Sequence, residues 1–597
     1  DMIPNECLKM LPPAWEHYLL YLLNKIWCSE DIPSTWAKIK LKLLFKSGNK
    51  LDPGNYRGIS IFNTVVKILT SILYIRLNTW AENNQVIPEE KMGFRNGRGC
   101  TDAIFTLSSV INIQLHHQKR KVWAIFVDLK KAFDSVCHNI LWHKLFKLGV
   151  SVKYIRFLKQ MYEYASVVIS ENDKLSNEIP VTAGVLQGEI LSPLIFNLFI
   201  SDLIDYFKAQ GAQGLNIDNN RDLILQLYAD DIVILAYSWA DAQSKLKILG
   251  KYCELNNLSV NVKKTKIVPF HKGRLKKHKN LTFNNNSIDC EKSFTYLGVP
   301  MFSSGKFTRT GDIFLKKGVV ANSAVLEILK RCKSDCWVTK VQLFDSMSES
   351  VVLYLSEVWG IQCLETIERS QLNFLKTLLH LQKNTPNCYV RLETGRSHCK
   401  FQWWNSDIFC KKMYQWWIKL LSMPDDRLPK LCYLKLLGLM QSTSIPFNWA
   451  HEMRNILFSL GSSALWEGQN VDMIKKEKLS TFNKLENHLI SNDINSVLNS
   501  SYNPIYCSIS TLQGCESYLK FNCNITKLRL VSQLRMANMK HCNIYFKGKK
   551  YQFHYDENCK FCLNNKKDDI LHFILECPAY LIYRNKYLKR FINKVPN

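Results

Sequence analysis

Two apolar runs in this sequence stop on aspartate. Val122 to Val127 closes on Asp128, and the run Leu223 to Leu235 is broken only by Gln226 and the tetrapeptide Tyr228-Ala229-Asp230-Asp231. The first reads as a buried strand and the second as a hairpin with two carboxylates at its tip. An ionised carboxylate beside apolar core is costly unless it is paired or holds a metal. If the two runs are neighbouring strands, Asp128 meets Asp230 and Asp231. Three clustered carboxylates repel one another, and divalent cations relieve that repulsion. Two Mg²⁺ ions held there would activate a 3′-hydroxyl and stabilise a leaving pyrophosphate, the chemistry of nucleotide polymerisation.

A second constellation lies far downstream. Cys559-x₂-Cys562, followed by His572 and Cys577, offers three thiolates and one imidazole at a spacing that closes a tetrahedral Zn²⁺ site. Lys547, Lys549, Lys550, Lys566 and Lys567 surround it. Zinc would thus hold together a small basic module suited to nucleic acid. The stretch Lys263 to Lys279 is rich in Lys and Arg, with His271 and His278 between them, and reads equally as a phosphate-contacting stripe or an exposed loop. Pro424-Asp425-Asp426 reads as a helix-linking turn in preference to a nuclease signature.

Elements must position these groups. Residues 14–45 combine an amphipathic helix with an apolar run ending in Leu41 to Phe45; Lys46-Ser47-Gly48 and Asp52-Pro53-Gly54-Asn55 are turns, and Ile61 to Trp80 has helical spacing. Gly184-Val185-Leu186-Gln187-Gly188 precedes Leu191-Ser192-Pro193, which opens a helix. Beyond 310 the helical pattern dominates to about 500, and Trp403, Trp404, Trp416 and Trp417 read as packing core. With 47% hydrophobic and 22% charged residues, the 597-residue chain is globular, not disordered, collagen-like or coiled-coil. Its 79 Lys and Arg against 51 Asp and Glu leave +28, which favours a polyanionic partner, nucleic acid before an anionic membrane. No uncharged apolar run reaches the roughly 18 residues of a spanning helix, which predicts a soluble protein with no membrane partner. The 20 cysteines form no repeating framework and no signal peptide is present, which points to reduced thiols in the cytosol or nucleus.

Together these stretches are similar to a known set. Phe126-Val127-Asp128-Leu129-Lys130-Lys131-Ala132-Phe133-Asp134, Gly184 to Gly188 with Leu191-Ser192-Pro193, and Tyr228-Ala229-Asp230-Asp231 resemble the ordered palm motifs of reverse transcriptases, and more narrowly those of non-LTR (LINE-type) retrotransposons. Asn55-Tyr56-Arg57-Gly58-Ile59-Ser60 and Gly93-Phe94-Arg95 resemble that group's finger motifs. Asn261 to Lys266 and Tyr296-Leu297-Gly298 resemble its next palm motif and primer grip, and the cysteine cluster its C-terminal CCHC element. Two positions depart from the pattern: Lys91 stands where relatives commonly carry Gln, and Glu189 follows Gly188. Neither removes a metal ligand.

The resemblance implies an RNA-directed DNA polymerase that copies retrotransposon RNA by target-primed synthesis, with two Mg²⁺ and one structural Zn²⁺. The alternative is a catalytically idle remnant that binds or packages RNA. Asp128, Asp230 and Asp231 would hold the Mg²⁺ ions and Lys264 would donate a proton to pyrophosphate. Phe133 would act as a steric gate against ribonucleotides. Gln187, Lys46 and Arg57 would meet the incoming dNTP, and Arg95, Tyr296, Leu297 and Gly298 the template and primer. Cys559, Cys562, His572 and Cys577 would hold zinc. The implied fold is α+β, a right hand of fingers, palm and thumb followed by a mostly helical C-terminal region and a zinc knuckle. The expected divisions are 1–115 (N-terminal extension and fingers), 116–310 (palm, with part of the fingers), 311–400 (thumb), 401–550 (helical region) and 551–597 (knuckle). Expected partners are template RNA, target DNA, dNTPs and an upstream or separate endonuclease, since the finger motifs begin within about fifty residues of Asp1 and leave no room for a nuclease domain. Such an enzyme would extend a supplied nick and not create one. It would act in the nucleus after ribonucleoprotein assembly in the cytoplasm.

Overall fold

The computed structural model describes residues 5–588, apart from 172–173, 219–220, 274–279, 397–408, 441–447, 513, 522–523, 540, 547 and 563–564. Trp403, Trp404, His278 and part of the basic stretch lie outside the described residues. The chain folds as two compact units, Asp1–Lys306 with Pro424–Pro446, and Phe307–Met423 with Phe447–Asn597. The division near residue 306 falls close to the expected end of the palm. The expected 401–550 region does not stay together, because residues 424–446 join the first unit. The physical cause is Arg427, which donates to Glu89 and to the fully buried Asp102, so that the helix Leu428–Leu439 packs on the helix Cys100–Asn112.

The first unit is built on two sheets. In one, β1 (Lys38–Phe45) pairs antiparallel with β2 (Tyr56–Ile61) and parallel with β3 (Ser166–Glu171). The turns predicted at Lys46 to Asn55 join β1 to β2, and Asn55 O accepts from Lys46 N at 2.8 Å. The second sheet has five strands in the order β8-β7-β4-β6-β5, with β4 (Val122–Asp128) at its centre, β5 (Leu225–Tyr228), β6 (Asp231–Ala236), β7 (Lys266–Phe270) and β8 (Asp289–Cys290). Val122 to Val127 are all buried, as a central strand covered on both faces requires, and so are Ile232 to Ala236. The helix Trp239–Leu255 packs on β6, and the helix Thr64–Asn83 contributes Val66, Leu69, Leu73 and Leu77 to the same core. Among the described residues no helix is long and apolar enough to cross a membrane.

The second unit is mainly helical. Its core gathers Val325, Trp337, Phe344, Phe374, Tyr389 and Tyr506. Trp416 and Trp417 are buried, with Trp417 stacked on Trp466 at 5.7 Å, so these two do serve packing. The expected mostly helical region 401–550 closes in a hairpin of His541–Phe546 with Lys549–His554, whose Cys542, Ile544 and Phe553 form a separate small core with Ile570.

Candidate active site

Strand pairing brings the carboxylates together. In the antiparallel β4–β6 ladder Asp128 stands directly opposite Asp231, and the β5–β6 hairpin places Asp230 in the turn beside them. Ala229 carries that turn at φ 52°, a left-handed conformation costly for a residue with a Cβ. Burial, then the charges of Asp230 and Asp128, push the Asp231 carboxyl up to about 6, opposed by Lys91. Hard oxygen donors this crowded suit a divalent cation, whose charge would reverse that rise.

Lys91 lies beneath the turn. Its ammonium is fully buried, donates to Ala229 O and sits 5.3 Å from the centre of the Phe196 ring. Burial pulls its pKa down to about 7, against the attraction of Asp230 and Asp231. The segment reaches this position by pairing with β5: Leu227 N donates to Glu90 O and Leu227 O accepts from Met92 N, both at 2.9 Å. Gly93 follows, and a Cβ there would overlap the backbone of Ala229, so only glycine lets the two chains cross. The departure at Lys91 therefore concerns the support of the aspartate turn and not a template contact.

Two cavities of the first unit contain expected site residues. One, of about 570 Å³, is lined by Asp128, Asp231, Lys263, Lys264, Phe294 and Tyr296 among others. Lys264 is exposed in a turn whose Thr265 Oγ1 accepts from Asp128 N at 3.3 Å, and Asp128 O accepts from Asn261 N at 2.8 Å. The other cavity, of about 540 Å³, brings together Lys46, Arg57 and Gln187 from three separate stretches. It also contains Lys131 and Asp134, which sequence reasoning passed over although both lie inside the motif that carries Asp128. Burial raises the Asp134 carboxyl, while Lys131 and Lys46 pull it down. Phe133 is half-buried, stacked on Phe196 at 4.8 Å and edge-on to Phe94 at 6.2 Å. Gln187 O accepts from Ser60 N at 2.7 Å, and Gly188, at φ 110°, passes so close to Ser60 that a side chain would collide with its carbonyl. This contact ties the Gln187 loop to β2 and to Arg57. Glu189 turns inward, accepting from Leu191 N at 2.6 Å and Ser192 N at 3.0 Å at the start of the helix Ser192–Phe199, and is not a template contact.

Two expected nucleic-acid contacts are corrected. Arg95 is buried and spends its guanidinium on Glu82, Pro88 O and Lys91 O, so it braces the segment between Glu82 and Arg95 from within. The Tyr296 ring is buried against Phe126, 5.7 Å away, leaving Leu297 and Gly298 as the tip of the hairpin Ser293–Phe302, both in left-handed conformations.

In the second unit, ligand atoms of Cys559, Cys562, His572 and Cys577 lie within 4.8 Å of one another. Cys559 Sγ is 3.9 Å from Cys577 Sγ, and Cys562 Sγ is 3.3 Å from His572 Nε2. The opposite ring nitrogen, Nδ1, is 3.6 Å from a Glu576 oxygen. Three soft sulfurs and one imidazole converging in this way could hold a metal ion.

Residues 46–301 match the reverse transcriptase (RNA-dependent DNA polymerase) family. The chain is similar to the RNA-directed DNA polymerase from mobile element jockey of Drosophila melanogaster, at 24% identity over 63% of this chain and 41% of that protein. It is also similar to the probable RNA-directed DNA polymerase from transposon BS of the same fly, at 29% identity over 44% of this chain and 29% of that protein. It thus spans less than half the length of either relative. A solved telomerase from Candida Tropicalis aligns with 73% of this chain and 74% of its own at 12% identity, with a TM-score of 0.35.

Proposed function

We propose that this chain, which carries a reverse transcriptase domain of the non-LTR retrotransposon type over residues 46–301, is an RNA-directed DNA polymerase that copies an element's RNA by target-primed synthesis. The observation that carries this reading is the Asp128–Asp231 register pair, with Asp230 in the adjoining turn and the cavity of Lys46, Arg57 and Gln187 in the same unit. Asp128, Asp230 and Asp231 would hold two Mg²⁺ ions, which when bound lower the pKa of a primer 3′-hydroxyl and neutralise the departing pyrophosphate. Lys46, Lys131 and Arg57 supply positive charge for a triphosphate, and Gln187 offers an amide to the nucleotide. The Phe133 ring is the steric gate against a 2′-hydroxyl, and Lys264 is the candidate proton donor to pyrophosphate. The Leu297-Gly298 tip is the candidate primer support.

Cys559, Cys562, His572 and Cys577 would hold one structural Zn²⁺. Template RNA, target DNA and dNTPs are the proposed partners, with an endonuclease, upstream or separate, supplying the nick. Synthesis would take place in the nucleus after ribonucleoprotein assembly in the cytoplasm.

The test is primer extension on an annealed RNA template with Mg²⁺ and dNTPs. Wild-type protein should extend. Asp128→Asn and Asp230→Ala should reduce extension at least 10³-fold while RNA binding stays within a few-fold, because the carboxylates serve cations and not the template. RNA binding without extension by the wild type would favour the idle nucleic-acid-binding alternative.

A further inference from the structure

Several buried arginines of the second unit are paired with acids. Arg391 is held by Glu368 and Asp493, Arg396 by Asp345, and Arg535 by Glu393 and Glu516. One group of cations in the same unit breaks this habit. Lys376, Lys383 and Arg529 line a cavity of about 880 Å³, and no carboxylate is among its described lining residues. Among the described residues none of the three makes an ion pair; their hydrogen bonds go to neutral acceptors. Lys376 Nζ donates to Lys383 O at 3.1 Å and Asn387 Oδ1 at 2.9 Å, while Arg529 Nε donates to Leu378 O at 2.8 Å.

Lys376 is half-buried on the helix Leu364–Leu378, and Arg529 is half-buried near the start of the helix Ile525–Arg535. Burial lowers the pKa of both, which is the cost of holding cations there without a counter-charge. A fold keeps such a cost where an anion from outside repays it. The positive end of the Ile525–Arg535 helix dipole adds to the attraction, and the exposed ring of Tyr545 on the cavity wall offers a face for a base.

We infer that this cavity binds the phosphodiester backbone of a nucleic acid strand, with Lys376, Lys383 and Arg529 on the phosphates and Tyr545 against a base. The site is separate from the palm carboxylates and does not depend on their role. Its volume falls in the range of pockets that enclose a ligand of nucleotide size.

The measurement is binding of labelled single-stranded RNA and DNA of the same sequence to the full chain without added Mg²⁺, across a salt series. Each phosphate contact on a single strand contributes about 0.7 to the slope of log K against log salt. Lys376→Gln with Lys383→Gln should therefore reduce the slope by about 1.4 and weaken binding roughly tenfold. Lys475→Gln with Lys476→Gln, the same charge change on an exposed helix of the same unit, is the control and should alter the slope far less. Tyr545→Ala should weaken binding several-fold with the salt slope unchanged, since stacking releases no counterions. Equal losses on RNA and DNA mean backbone recognition alone, and a larger loss on RNA means that the 2′-hydroxyl is also read. A cavity pair whose slope matches that of the control pair on both strands would overturn the assignment. Primer extension fails or succeeds independently of this result, so the two readings separate.

Discussion

At the residue scale the instructive side chain is Lys91. A buried ammonium holding a strained turn from below is both a strut and a counter-charge for carboxylates that repel each other. It does not touch substrate and is a positioning residue. Replacing it with Met keeps the volume but leaves Ala229 O without its donor, which costs about 1–3 kcal/mol for a buried carbonyl. The two roles separate by metal. Without added Mg²⁺, Lys91→Met should lower the melting temperature, and Mg²⁺ should restore part of the loss because it supplies the missing positive charge to Asp230 and Asp231. Equal destabilisation with and without Mg²⁺ would mean that Lys91 acts only as a strut.

At the element scale the first unit depends on a helix from far along the chain. Arg427 bridges Glu89 and Asp102, the latter with no exposure. Removing one partner of a buried pair costs about 3–5 kcal/mol because the other charge is left uncompensated. Arg427→Met should therefore release the helix Leu428–Leu439, seen as faster hydrogen exchange along Cys100–Asn112, whereas Arg427→Met combined with Asp102→Asn should recover much of the protection. In the second unit, Glu349 is buried and its carboxyl is pushed up to about 7, by burial first, with Arg396 pulling it down and Asp345 raising it. A carboxyl raised in the folded state contributes stability that is complete below its unfolded value and lost as pH rises through 7. Local protection of the helix Trp337–Phe344 should accordingly weaken between pH 4.5 and 8, by up to roughly 3 kcal/mol. Glu349→Gln should flatten that dependence. An unchanged pH profile in the variant would place the titration elsewhere.

At the scale of the whole molecule, the Cys559–Cys577 cluster lies in the second unit and the palm carboxylates in the first. Loss of one of four ligands should unfold the small terminal core of Cys542, Ile544, Phe553 and Ile570, because metal binding and folding are one free energy in such a module. Cys577→Ser, or mild chelation, should weaken binding of structured RNA or target DNA more than tenfold and leave extension of a pre-annealed primer within a few-fold. Elemental analysis should find one zinc per chain in the wild type and none in the variant. A wild type without zinc would sink this expectation before any binding was measured.

The candidate ligands of the centre are legible in the sequence, because their signals are local. An apolar run that ends on Asp128, a tetrapeptide with two carboxylates and a Cys-x₂-Cys with a following His and Cys are each legible within a few residues, and so are the strands and turns that carry them. What tertiary structure alone decided is the direction in which each side chain points. Arg95 and Tyr296 sit inside recognisable motifs yet face inward, and Glu189 caps a helix. Lys131 and Asp134 share a cavity with Lys46, Arg57 and Gln187, which come from distant stretches of the chain. Arg427 reaches back across more than three hundred positions to fasten a helix to the first unit. The physical reason is common to all of them. Local sequence sets backbone propensity and apolar periodicity, but a charge is stable in the core only beside the partner that compensates it, and that partner is brought by the fold from a distant part of the chain.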